Sequence, residues 1–177
     1  MIYLCEREIG FDAAEIGFPS ILGCRAIVIV TSGGLFGYHL NGNLNVNKKN
    51  VLLNFINTHP QGTPRRALYA ASTGAGLRQD HDELKELASN LHYTGAIYWA
   101  NLTSLGAGSI YAHYVGINHA TCGITGRTWD DATDSIPGNK GAYVAGANRA
   151  IANGVANTQM YTNLDQTGLR AVYPTKL

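Results

Sequence analysis

The sequence predicts an α/β protein, an α+β sandwich with a mixed β-sheet core and helices packed on it. Three observations predict it. Two apolar runs, 26–30 and the one ending on His39, flank a Thr-Ser-Gly-Gly break and read as a β-hairpin. Two later stretches carry apolar residues at helical spacing, and short β-branched or aromatic runs lie around them. The resulting order of hairpin, helix, strand, helix and strands is that of a mixed sheet with helices against it.

Taken in order, Ile2, Tyr3 and Leu4 predict an edge strand within residues 1–9. Phe11 to Ile16 holds Asp12-Ala-Ala-Glu and predicts a short helical turn. Pro19 predicts a break before Gly23-Cys24. The hairpin follows to Leu40. Asn47 is placed to cap a helix carrying Val51, Leu52, Phe55 and Ile56, which should stop before His59-Pro60 because proline disfavours helical geometry in the residue before it. Arg66 to Ser72 reads as a strand, 73–76 as a glycine loop, and Asp80 to Leu91 as an amphipathic helix with Leu84, Leu87 and Leu91 on one face. Strands are expected over 96–102 and 109–117, the latter turning through Asn118 into 120–124. A helix is expected over 142–153. No linker or repeat divides the chain, so one catalytic domain over 1–177 is expected.

Composition bounds the function. The chain of 177 residues is 45% hydrophobic and 14% charged, long enough for a buried core. A net charge of +1 gives no support for a nucleic-acid groove or an anionic membrane as partner. No apolar run reaches a bilayer-spanning length and no Sec-type signal is visible at the start. Three cysteines, Cys5, Cys24 and Cys122, form no disulfide framework and leave at least one free thiol. The glycine-rich stretches Ser32-Gly-Gly and Thr73-Gly-Ala-Gly lack the Lys-Ser/Thr of a phosphate loop.

The hairpin places a thiol at its open end and an imidazole on the returning strand, the two parts of a cysteine nucleophile and its base. If Ser32-Gly33 is a two-residue turn, His39 lies opposite Ala26, on the sheet face of Cys24 and one diagonal step, about 7–8 Å, away. A three-residue loop would put His39 opposite Ile27 on the wrong face. A turn at Gly33-Gly34 would move it opposite Val28, too far along.

Leu22-Gly23-Cys24, followed by a strand, a turn and a histidine 15 residues after the cysteine, resembles the catalytic core of the cytotoxic necrotizing factor toxins, the Burkholderia lethal factor toxin and the chemoreceptor glutamine deamidases. The resemblance implies Cys24 as nucleophile and His39 as base, in a deamidase-toxin-like fold. Beyond about residue 40 only the order of elements matches. The sequence departs from the pattern at Leu22, where the toxins have Ser. It departs again at Phe18, where some members have a Thr that orients the histidine and others use a main-chain carbonyl. The orienting group is unassigned, with Ser20 the nearest hydroxyl.

The reaction so implied is deamidation of a protein glutamine by a bacterial toxin or effector, without metal or organic cofactor. The protein would act as a monomer on a protein substrate, with no nucleic acid or membrane as partner. It would be secreted or translocated into a target-cell cytoplasm without a Sec signal, or be cytoplasmic if it is not a toxin. Main-chain N–H groups at the Gly23-Cys24 turn would hold the oxyanion, and an imidazolium would lower the thiol pKa.

Other readings remain. The pair could serve another cysteine amidohydrolase or a protease. Cys24 could be a buried small hydrophobe and His39 a polar strand-end residue in a binding module. His119-x-x-Cys122, with His113 nearby, offers a rival nucleophile or part of a zinc site. Cys5 reads as core, and His59, His81 and His92 as surface residues. Lys48-Lys49 and Arg65-Arg66 read as isolated doublets at loop or helix ends. Tyr69, Tyr98, Trp99, Tyr111 and Tyr114 read as strand residues that pack the sheet.

Overall fold

The computed structural model describes residues 1–74, 77–146 and 148–177. The chain opens with β1 (Ile2–Tyr3), β2 (Glu8–Asp12), β3 (Glu15–Ile21) and the hairpin β4 (Cys24–Thr31) and β5 (Gly34–Asn41). Helix α1 (Val46–Thr58), β6 (Arg65–Ser72), helix α2 (Leu77–Asn90) and β7 (Ile97–Asn101) follow. Then come β8 (Ile110–Ile117), β9 (Thr121–Thr128), the single turn α3 (Asp131–Asp134), β10 (Lys140–Ala142), β11 (Arg149–Ile151), β12 (Gln159–Tyr161), β13 (Arg170–Val172) and β14 (Thr175–Lys176).

The class is α+β. A seven-stranded mixed sheet has the order β11-β2-β5-β4-β6-β7-β14, and a five-stranded sheet the order β1-β3-β8-β9-β13. Strand β4 is central in the first, and its side chains alternate between two apolar layers. Cys24, Ala26, Val28 and Val30 pack with Ile16, Phe18, Ala112, Tyr114 and Ile124 of the second sheet. Ile27 and Ile29 pack on the other side with Leu52 and Ile56 of α1 and Leu84 and Leu87 of α2. Burial on both faces explains why β4 reads as an unbroken apolar run rather than an alternating one. The layers therefore run helices, sheet, sheet. No helix among the described residues is long and apolar enough to cross a membrane.

Several expectations need correction. Residues 11–16 form a tight turn between the two sheets rather than a helical turn: Asp12 Oδ1 accepts from the N–H groups of Ala14 and Glu15, both at 2.9 Å, and turns β2 of one sheet into β3 of the other. Pro19 lies within β3, where the strand absorbs it as a bulge between Phe18 and Ile21, with Ser20 at a φ of 55°. The cap of α1 is Asn45, whose side chain accepts from Lys48 N. No helix lies among the described residues of 142–153. Short strands β10 and β11 lie there instead, among glycines at 141, 146 and 154 that weaken a helix. Lys48 and Lys49 are buried on α1, and His59 packs into a cluster with Phe11, Phe36 and Phe55. Of the expected glycine loop, residues 75 and 76 lie outside the described residues.

Candidate functional site

The register of the hairpin decides whether a thiol and an imidazole share a face. Thr31 pairs with Gly34, so Ser32-Gly33 is the turn, and Ala26 pairs with His39. Cys24 pairs with Asn41. Direct partners in an antiparallel ladder point to the same side. Cys24, His39 and Asn41 thus occupy one face at the open end of one hairpin, the face that looks toward the second sheet.

His39 is 1% exposed. Its Nδ1 lies 2.9 Å from the carbonyl oxygen of Leu4. A carbonyl only accepts, so Nδ1 carries the proton, and in the neutral ring Nε2 is a bare acceptor. That Nε2 is buried and has no hydrogen-bond partner. Phe18 stands edge-on to the imidazole at a centroid distance of 6.0 Å, where some members of the resembling family place a threonine. The N–H of Arg7 also donates to the His39 carbonyl at 2.8 Å, so the segment following β1 braces β5 through both main chain and ring. Ser20 is exposed and takes no part in holding the ring. Sequence reasoning left the orienting group open, because a main-chain carbonyl has no residue signature.

Cys24 is 8% exposed and free. Burial pushes its thiol up from the usual value and Glu6 adds to this, while the Leu22 N–H, Lys48 and Arg25 pull the other way. Burial lowers the His39 imidazole to about 4, against a smaller opposite effect of its bond to Leu4. The resting pair is therefore neutral thiol and neutral imidazole, and the expected lowering of the thiol by an adjacent imidazolium is absent. No hydrogen bond joins the sulfur to Nε2. Leu22, two residues before Cys24, is 61% exposed. The Gly23 N–H, expected as an oxyanion donor, instead donates to Thr73 Oγ1 at 3.2 Å. The tight corner needs a φ of +68° at Gly23, which glycine adopts without strain.

Three charged or polar groups close the site from below and behind. Asn41 Nδ2 donates to Glu6 Oε1. Lys48 Nζ donates to the carbonyls of Asn41 and, at 3.3 Å, Asn43. On the opposite face of β4, Arg25 pairs with Asp80 at 3.2 Å and with Glu83, and donates to Gly42 O at 2.9 Å. Glu6 was not singled out from sequence and Lys48 only as half of an isolated doublet, although the pairing of Asn41 with Cys24 follows from the same register that aligns His39.

The rival constellation does not assemble. Cys122 pairs with Gly116 and belongs to the core with Tyr114 and Ala112, whereas His113, between those two in β8 and so on the opposite face, sits on the outer side beside Tyr111 and Glu15. His119 lies exposed in the β8–β9 turn at a φ of 53°. Burial pushes the Cys122 thiol far up. Among the described residues no group of three His, Cys, Asp or Glu side chains is placed to hold a metal. Cys5 is half-buried rather than core, and burial with the Glu8 carboxylate raises its thiol to about 12.

The lowered imidazole ties the site to stability. Between pH 6.5 and about 4 the unfolded chain binds a proton on His39 that the folded chain refuses, so stability is lost as pH falls through that window. The gap corresponds to about 3 kcal/mol. Urea unfolding at pH 7 and pH 4.5 should show a smaller acid loss in His39→Gln than in the wild type; equal losses would refute the burial of a neutral ring. No family model matches this chain, and no curated protein matches it either.

Proposed function

We propose that the protein is a cysteine-dependent protein glutamine deamidase, a bacterial toxin or effector that converts a Gln of a target protein to Glu, built on a deamidase-toxin-like fold. The observation that carries this reading is His39 Nε2: a buried acceptor without a partner, on a ring anchored through Nδ1, on the face and diagonal of Cys24. A structural histidine would leave that atom uncompensated at about 1–3 kcal/mol, for which a nonpolar side chain would be the better occupant. Leu4 O supports the reading further, since it supplies the main-chain anchor that part of the resembling family uses.

In this mechanism Nε2 takes the thiol proton as Cys24 Sγ attacks the side-chain carboxamide carbon. The C–S bond forms and the carbonyl π pair moves to oxygen. Collapse expels the nitrogen, which leaves as ammonia with the proton carried by Nε2. Water, deprotonated by the same nitrogen, then attacks the thioester, giving Glu and the free thiol. The neutral resting pair means that the thiol is activated as the carboxamide arrives, not beforehand.

Candidate target proteins incubated with the wild type should gain the mass of an amide-to-acid conversion at a glutamine, with ammonia released and the chain intact. Cys24→Ser should give neither product nor ammonia. Chain cleavage would instead assign the pair to a protease, and full conversion by Cys24→Ser would overturn both readings.

A further inference from the structure

The reading above leaves the oxyanion without the Gly23 donor, because the Gly23 N–H is occupied by Thr73. We infer that the side-chain amide of Asn41 is that donor, receiving the carboxamide oxygen of the substrate glutamine as it becomes an oxyanion, and that Glu6 is a positioning residue acting through it. This inference rests on the deamidase reading.

Five observations place Asn41 in the role. It is the direct ladder partner of Cys24, so its side chain rises on the nucleophile's face, with Cβ atoms about 4.5–5.5 Å apart. His39 and Asn41 are two residues apart in β5, so base and donor flank the position at which the thiol attacks. The amide orientation is fixed, since a carboxylate only accepts and the Asn41 group facing Glu6 Oε1 must be Nδ2. One Nδ2 hydrogen is spent on Glu6, and among the described residues the second has no protein partner. The main chain at Asn41 is also held, by Lys48 Nζ on its carbonyl.

The segment Leu4–Glu6 thus serves two purposes. Its Leu4 carbonyl sets the imidazole, and its Glu6 carboxylate sets the amide. A donor fixed before the substrate arrives costs no reorganisation when charge develops, which is what makes such groups effective.

Two small thiol-directed probes, one alkylating and one disulfide-forming, test this without the natural substrate. 2-Chloroacetamide carries a carboxamide that Asn41 can hold; methyl methanethiosulfonate carries none. Rates at Cys24 are read by mass spectrometry, and their ratio cancels changes in the thiolate fraction. Asn41→Ala should lower the chloroacetamide-to-thiosulfonate ratio about fivefold, the worth of one neutral hydrogen bond. Asn41→Val, which keeps a good strand former, should do the same if the alanine variant is poorly folded. Glu6→Ala should lower the ratio and Glu6→Gln restore it, because a glutamine carbonyl still accepts from Nδ2. A ratio unchanged in both Asn41 variants overturns the inference alone. A wild-type Cys24 that reacts with both probes no faster than Cys122 overturns the deamidase reading and the inference with it.

Discussion

Replacing Arg25 by methionine should destabilise the protein by about 3–5 kcal/mol, the cost of stranding buried charge. Arg25 is almost fully buried and is the cation for two carboxylates on α2. Asp80 is buried and also accepts from Ser72 Oγ at 3.1 Å, while Glu83 accepts from the Leu44 N–H at 3.2 Å. The guanidinium therefore joins the start of β4, the helix above it and the loop after β5. Methionine fills much of the volume but leaves Asp80 and Glu83 without a countercharge. A variant that also carries Asp80→Leu and Glu83→Met should recover most of the loss, since a whole buried ionic cluster can often be exchanged for apolar side chains at little net cost. Urea unfolding of the single and triple variants is the check, and a loss below about 1 kcal/mol in Arg25→Met would show that the cluster is solvated.

His39→Gln should lower deamidation by about 10²–10⁴-fold, the range for loss of a general base. Glutamine keeps a donor for Leu4 O but has no basic nitrogen, so the fold contact survives while proton transfer does not. The resting chemistry makes the loss specific. With the imidazole lowered to about 4 and the thiol raised, proton transfer between them is uphill before substrate binds, and no standing thiolate exists at neutral pH. Iodoacetamide labelling of wild-type Cys24 should accordingly climb steadily with pH through the alkaline range. A labelling rate already flat between pH 5 and pH 8 would reveal a thiolate–imidazolium pair and contradict the neutral one.

The hairpin was legible in the sequence because two local features set it. A Ser-Gly turn between β-branched runs fixes the loop, and alternation along each strand then fixes which residues share a face. Helices α1 and α2 were legible for a similar reason, with Leu52, Ile56, Leu84 and Leu87 repeating at helical spacing toward one core. What the sequence could not carry was long-range pairing. That β1, β3, β8, β9 and β13 form a separate sheet, packed on the far side of β4, depends on contacts between residues far apart in the chain, such as Gly17 with His113 in a ladder begun at Glu15 and Val115. Pro19 misled because a proline in an irregular strand segment resembles a proline that ends one. His59 misled because its neighbours Phe11 and Phe36 come from distant strands. Within the site, Cys24 and His39 could be picked out by type and spacing. Leu4 could not, since it contributes through an atom that every residue possesses.

That last feature has a practical reach. The group that orients His39 is the Leu4 carbonyl, and no side-chain exchange at position 4 removes it. An alanine scan for the proposed activity would register the proposed nucleophile and base and pass over their third partner, scoring Leu4 only for the packing of its buried side chain. Comparison of related sequences would be equally blind there, because selection on a main-chain atom leaves the letter free to vary. The contact is reachable by backbone chemistry: an ester in place of the peptide bond between Leu4 and Cys5 weakens the acceptor without altering any side chain.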